Sequence, residues 1–287
     1  MEWRISLGDV LGILVVLGII IGIVAPFIGF SSIETRVSGW SLEELLKNIP
    51  IPFIHIYKEL VEEYNFIIRD NLNIVVYVES GGLRFIERKR DEANVKVYEF
   101  KFPWIMGIPS ERYFNINYDE DSNTLCIDVK GYEVELYLPT ELVGNITLEV
   151  ISGGIEVDEA SLTSLKVLNI KARGGALDLN LKNLGNVESY IDVHGGAIDA
   201  ELKYSEFTGK ALSTIIISGG VIDLDVSLPH EVKVKVDGEV NGGITSVEVN
   251  GVNVSGSFTE EGYSEAKGKL HLTYRISGGV ADIGIHK

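Results

Sequence analysis

Asp178, Asp199, Asp223 and Asp282 each stand three residues after the second glycine of a Gly-Gly doublet. Carboxylates repeated at one position could hold hard cations, which take carboxylate oxygens. If the segments that carry them stack in register, the first three form a ladder on an outer face, where like charges about 5 Å apart repel. A solvated face compensated by nearby lysines is the simpler expectation. "DEDSNTLCIDVK" from Asp119 sets Asp119, Asp121 and Asn123 at the first ligand positions of a calcium loop. Its sixth position is Thr124 where that loop needs glycine, and its twelfth is Lys130 where it needs glutamate. A hairpin tip is expected there.

The remaining candidates point the same way. The five histidines are scattered, and "HEVKV" from His230 lacks the second histidine of a zinc-protease helix. His194 fills a slot that Ser, Arg or Asn occupies beside other doublets, which marks it as an exposed variant. No Gly-x-Ser-x-Gly elbow occurs. Arg84, Arg88, Lys89 and Arg90 form a basic cluster expected at another hairpin tip. Cys126 is the sole cysteine, which excludes an internal disulfide and any multi-cysteine metal site. Asn145-Ile-Thr and Asn253-Val-Ser are glycosylation sequons. No catalytic residue, metal ligand or cofactor is expected, and the chain is read as a non-enzyme.

The doublets themselves recur at Gly81-Gly82, Gly153-Gly154, Gly174-Gly175, Gly195-Gly196, Gly219-Gly220, Gly242-Gly243 and Gly278-Gly279. From residue 153 the spacings are 21, 21, 24, 23 and 36 residues. A period of about 20–25 residues marks a stacked-strand array. No doublet is followed by Lys and Ser/Thr or by a helix pattern, as a phosphate loop requires. The glycines are read instead as structural corners: positive φ is open to them, and no Cβ obstructs a neighbouring coil about 4.8 Å away. Downstream of the doublets, Leu177, Leu179 and Leu181, then Ile198, Ala200 and Leu202, Ile222, Leu224, Val226 and Leu228, and Ala281, Ile283 and Ile285 alternate as inward ladders. The long last interval, around "SGSFTEEGYSEAKG", is expected to be a loop on one side.

Upstream, "NIVVYVES", "NVKVYEF", "YFNINYD", "TLCIDVK" and "YEVELYLP" alternate with a period of two and predict half-buried strands. Residues 10–30, "VLGILVVLGIIIGIVAPFIGF", carry no charge. At about 1.5 Å per residue they match the roughly 30 Å of a bilayer core, and they are too long for a signal-peptide core of about 7–15 residues. Gly18-x-x-x-Gly22 within them has the spacing of a helix–helix contact. Ser41 with Glu44 starts a short helix, and Ile56, Leu60, Tyr64 and Ile67 stand at helical spacing, so residues 31–70 are expected as a helical connector. The expected organisation is a cytoplasmic tail at 1–9, a transmembrane anchor at 10–30, that connector, an N-terminal β region at 71–150 and a doublet-repeat region at 151–287. The fold class is all-β, a solenoid-like stack of 20–25-residue coils.

Over 287 residues the formal net charge is −17 and the pI near 4.7, which disfavours nucleic acid as a partner. The absence of glutamine and the two methionines suit a heat-loving source. "YEVELYLPTE", "ISGGVIDLDVSLP" and the closing "ISGGVADIGI" resemble the putative-adhesin family of bacterial and archaeal β-strand repeat domains, related in appearance to the toast-rack domains of cell-envelope proteins. The resemblance spans about residues 73–287. It implies a right-handed solenoid-like fold, often membrane-tethered, with no established catalytic residues; the long anchor and connector depart from it. The expected function is an adhesin-like structural or binding protein of the cell surface, its bulk extracellular. Expected partners are the membrane through 10–30, further copies of the chain, other surface proteins or glycans. A signalling accessory that senses envelope stress is the alternative, and a carbohydrate-active enzyme with paired carboxylates the more remote one.

Overall fold

The computed structural model describes residues 57–88, 92–101 and 111–287. The tail at 1–9, the span at 10–30 with Gly18 and Gly22, residues 31–56 of the connector, Lys89 and Arg90 lie outside the described residues. Among the described residues no helix is long and apolar enough to cross a membrane. They are all-β apart from one short 3-10 turn at Thr140–Leu142.

The N-terminal strands are β1 (Tyr57–Ile67), β2 (Leu72–Glu87), β3 (Glu92–Lys101), β4 (Tyr113–Asp119), β5 (Thr124–Leu138) and β6 (Val143–Val150). There follow β7 (Gly154–Ser161), β8 (Val167–Ala172), β9 (Ala176–Leu184), β10 (Glu188–Val193), β11 (Ala197–Tyr204), β12 (Gly209–Ile217) and β13 (Val221–Ser227). The last are β14 (Val232–Val240), β15 (Ile244–Val249), β16 (Val252–Asn253), β17 (Ser257–Thr259), β18 (Gly268–Ile276) and β19 (Val280–His286).

All nineteen strands join one sheet that runs as two ladders. In the first, β6, β8, β10 and β12 lie parallel in sequence order, each one coil after the last. In the second, β7, β9, β11 and β13 do the same. The repeat in the sequence is one step of both ladders: Ile155 pairs with Leu177, Leu177 with Ile198, and Ile198 with Ile222. Alternation then fixes the core. Along β13, Ile222, Leu224 and Val226 are at most 2% exposed while Val221, Asp223 and Asp225 face outward. The equivalent positions of β9, β11 and β19 are buried to the same degree. Full burial of each Leu, Ile or Val contributes about 1.5–3 kcal/mol, so stability is spread along the stack.

The order of stacking departs from the order of the chain at both ends. The final coil, β18 and β19, pairs with β12 and β13, and β14 and β15 stack on its far side. At the other end β2 lies between β5 and the β6–β7 coil. Residues 71–150 and 151–287 are thus continuous in hydrogen bonding. β2 and β5 each pass from the first ladder to the second without a break, the bend in β2 marked by register shifts between Val78 and Gly81. The long last interval is also more than a loop: β17 lies antiparallel on β14, and Glu260 accepts from Lys233 Nζ (2.9 Å), the Val234 N–H (3.1 Å) and Lys287 Nζ.

Residues 57–67, expected to continue an amphipathic helix, form strand β1 paired antiparallel with β3. The helical spacing there is coincidental, since Leu60 and Ile67 are 47% and 79% exposed. The period of two in Tyr64, Phe66 and Ile68 faces the core, and the free edge of β3 supplies a backbone partner that a helix would forgo.

Candidate functional site

The corner glycines determine how closely the coils approach. Gly196 has φ +80°, and a Cβ built on it would lie 2.1 Å from the Gly175 carbonyl oxygen of the coil below. At Gly195 the Cβ would meet the Arg173 carbonyl at 2.5 Å. The doublets are not all in phase. Gly154 pairs with Ala176 and with Gly82, so in the first two coils the second glycine already occupies the first strand position. Gly82 accordingly has room: its Cβ would meet nothing closer than Glu133 Cγ at 3.8 Å. Gly131 in β5, with φ +76°, lies at the bend of its coil and belongs to no doublet.

Beyond the corners the second ladder displays an acidic row. Glu156, Asp178, Asp199, Asp223 and Asp282 are register partners on five successive strands. All four aspartates are thus in line, Asp282 because its coil stacks directly on that of Asp223. Two residues along runs a second row, Asn180, Glu201, Asp225, Gly284 and Glu248. Desolvation first, then repulsion from Asp199, Glu156 and Asp158, pushes the Asp178 carboxyl up to about 6. Asp199 is raised by desolvation and by Asp225 and Glu201, and Asp223 by desolvation and by Asp199, Asp225 and Asp282.

The lysines expected to compensate this row pair elsewhere. Lys182 binds Glu159 at 2.8 Å and Lys203 binds Glu201 at 2.8 Å, and none of the four aspartates has an ion-pair partner among the described residues. Arg84 lies at the edge of the row, within strand β2 and not at a hairpin tip, 3.4 Å from both Glu156 and Asp158. Arg88, just past β2, donates its N–H to the Leu138 carbonyl. No three His, Cys, Asp or Glu side chains among the described residues are grouped so as to hold a metal ion. The row is a charged face that resists further ionisation.

One cluster has nucleophile-like chemistry. His194 Nδ1 lies 2.5 Å from Ser218 Oγ, and its Nε2 lies 3.2 Å from Asp192 Oδ1. The ring thus links Asp192 of its own coil to Ser218 of the next one at the corner. The ring is 59% exposed, so the contact braces the corner without enclosing a reacting group. A groove of about 870 Å³ is lined by Glu206, Phe207, Glu231, Lys233, Glu265 and Lys267 where the 254–267 segment meets the loops before β12 and β14.

Asp119 ends β4 at a hairpin tip, its Oδ1 accepting from the Asp121 N–H (3.0 Å) and its Oδ2 from Ser122 Oγ (2.8 Å). These bonds hold its carboxyl below the usual range. Asn145 is half-buried within β6, its side-chain amide donating to Asn73 Oδ1 at 2.5 Å. Asn253 is exposed in β16. Inside the stack, Ser189 and Ser213 are the polar pair of the first ladder, 2% and 4% exposed and joined at 2.9 Å. No sequence pattern announces them, because they occupy positions that alternation assigns to apolar residues.

No protein-family model matches the chain, and no curated protein matches it. Among solved structures it is similar to a putative cell adhesion protein from Clostridium sporogenes, with 14% identity over 79% of this chain and 100% of that one and a TM-score of 0.43. It is similar also to a putative adhesin from Bacteroides fragilis, with 12% identity over 78% of this chain and 97% of that one and a TM-score of 0.37. A putative adhesin from Parabacteroides merdae is similar at 10% identity over 77% and 95%, with a TM-score of 0.30.

Proposed function

We propose that the chain is a membrane-anchored, adhesin-like structural or binding protein of the cell surface, with its β stack outside the cell and no catalytic role. The observation that supports this reading best is the in-register second ladder. It presents a carboxylate at the same place on five successive strands of an open face. Such a face suits an extended or repeated partner, a glycan or another surface protein, better than it suits one small molecule held in a pocket. The uncharged run at 10–30 supports an anchor. The −17 net charge suits a solvated exterior and repels an anionic membrane surface.

Protease treatment of intact cells that express the full chain tests the placement. Cleavage of the β stack on whole cells is the expected result. Protection until the cells are lysed would place the stack in the cytoplasm and refute the reading.

A further inference from the structure

The outer faces of the two ladders differ in chemistry. The second ladder carries the acidic row. On the first, register aligns Val75, Thr147, Asn169, Tyr190, Thr214 and Thr273, taken in stacking order from β2, β6, β8, β10, β12 and β18. None of them is charged, in a chain whose formal net charge is −17. At about 4.8 Å per strand the row is about 24 Å long. It ends at Asp237 of β14, whose charge Lys235 (2.6 Å) and His271 (2.8 Å) offset.

Alternation turns this row outward, since the residues that follow its members on β2, β6, β8, β10 and β12 (Val76, Leu148, Ile170, Ile191 and Ile215) are at most 1% exposed. Val75 and Tyr190 are 39% and 36% exposed. Val167 and Leu212, diagonal neighbours of Tyr190 on the strands to either side, are 39% and 37% exposed. The tyrosine ring thus lies between apolar groups across the row and polar ones along it. Among the described residues no hydrogen bond engages the side chains of Thr147, Asn169, Tyr190, Thr214 or Thr273, and Asn169 Oδ1, although covered, has no partner. Charge stands at the margin: Glu188 and Asp192 lie two residues before and after Tyr190, with Lys171 beside Asp192 on β8.

We infer that this face binds a neutral glycan, laid along the row with one sugar ring on Tyr190. The inference rests on the binding role proposed above and gives that role a site separate from the acidic row. The face of a tyrosine ring is the negative part of its quadrupole and attracts the C–H side of a sugar. The hydroxyl and amide groups of Thr147, Asn169, Thr214 and Thr273 meet sugar hydroxyls as donors and acceptors. Glu188 and Asp192 accept charge-assisted hydrogen bonds from the same hydroxyls.

The other occupants fit worse. A purely apolar partner leaves the hydroxyl and amide groups of the row without hydrogen bonds. The same face of a second copy brings Glu188 and Asp192 against like charge and strips them of water. An anionic polymer is repelled by the chain as a whole, and a basic one is drawn to the unpaired aspartates of the other ladder. A row of similar groups one strand apart also suits a chain of repeating units better than a single small molecule.

Affinity electrophoresis of the full-length chain tests this, in a polyoxyethylene detergent that has no sugar headgroup. Dextran, mannan, xyloglucan and laminarin serve as neutral probes and polygalacturonate as an anionic one. The expected result is that at least one neutral probe retards the chain and polygalacturonate does not. Raising sodium chloride from about 50 to about 500 mM should leave the retardation unchanged, because no ion pair carries it. Tyr190→Ala should weaken the affinity about three- to tenfold with the circular dichroism spectrum and melting midpoint unchanged. Tyr190→Phe, which keeps the ring, should retain it. Thr214→Arg, which fills the next place in the row, should abolish it, and Asp199→Asn on the other ladder should leave it as it is. Retardation by no neutral probe, or equal retardation of wild type and Tyr190→Ala, overturns the inference. Loss in Asp199→Asn but not in Tyr190→Ala moves the site to the acidic row. Self-association that Tyr190→Ala removes, without sugar binding, gives the face to a second copy. Both of those results overturn the inference and leave the binding role standing. The gel reads binding without a membrane, so its outcome is separate from the placement that protease treatment of whole cells tests.

Discussion

Asp178→Asn tests whether the acidic row opposes folding. The Asp178 carboxyl is pushed from 3.8 up to about 6 in the folded chain. At about 1.4 kcal/mol per pKa unit that shift sets a ceiling near 3 kcal/mol. The group is only half-buried, and solvent screens part of the repulsion, so about 1 kcal/mol is the working value. An acid whose folded pKa lies above its unfolded one binds more protons in the fold. Stability is therefore greatest below the unfolded value, falls as pH rises through about 6, and is reduced in full above it. Asparagine keeps the shape and cannot ionise. At pH 7.5 the variant is expected to be more stable than wild type by about 1 kcal/mol, or about 2–4 °C in midpoint for a domain of this size. Toward pH 4 the gap should narrow, closing only below the unfolded value of 3.8. Denaturant and thermal unfolding of the full chain in detergent, followed by far-ultraviolet circular dichroism from pH 4 to 8, measures both. Added salt should narrow the gap at pH 7.5. A variant no more stable than wild type at pH 7.5, or one with an unchanged slope between pH 4 and 7, would refute the reasoning.

Gly196→Ala is expected to lose about 2–4 kcal/mol, because the new Cβ meets a backbone oxygen at 2.1 Å and φ is +80°. Gly82→Ala, whose nearest neighbour is 3.8 Å away, should stay within about 0.5 kcal/mol of wild type, and urea midpoints compare the two directly. Ser213→Ala should lose about 1–2 kcal/mol by leaving the buried Ser189 hydroxyl with only a 3.4 Å contact to the Leu212 carbonyl. The Ser189→Ala/Ser213→Ala double variant should recover part of that loss, and an additive double-mutant cycle would deny the coupling.

Much of the second ladder is legible in the chain because two local signals agree there. The doublets mark where each coil bends, and the alternation in "VIDLDV" or "ALDLNL" tells which residues face in, so the row through Asp178, Asp199 and Asp223 can be counted off the sequence. Stacking order is not legible. The 268–286 coil has the same period and face whether it lies beyond Val240 or between Ile217 and Val240, and only the pairing of Asp223 with Asp282 decides. The phase of Gly153-Gly154 is hidden for a similar reason: a doublet fills the corner equally well one residue late, provided that a small residue such as Ser152 takes the first corner position. The strand at Tyr57–Ile67 reads as a helix because edge strands leave apolar residues such as Leu60 and Ile67 uncovered, which blurs their period of two.

The interleaved final coil also constrains how the molecule is made. While the chain is being synthesised, Val232–Val249 emerges with nowhere to dock, since the surface it will rest on belongs to Gly268–His286. Growth by simple addition, coil upon coil from the amino-terminal side, must therefore pause after Ser227. The segment waits until its younger neighbour arrives and slots in beneath it.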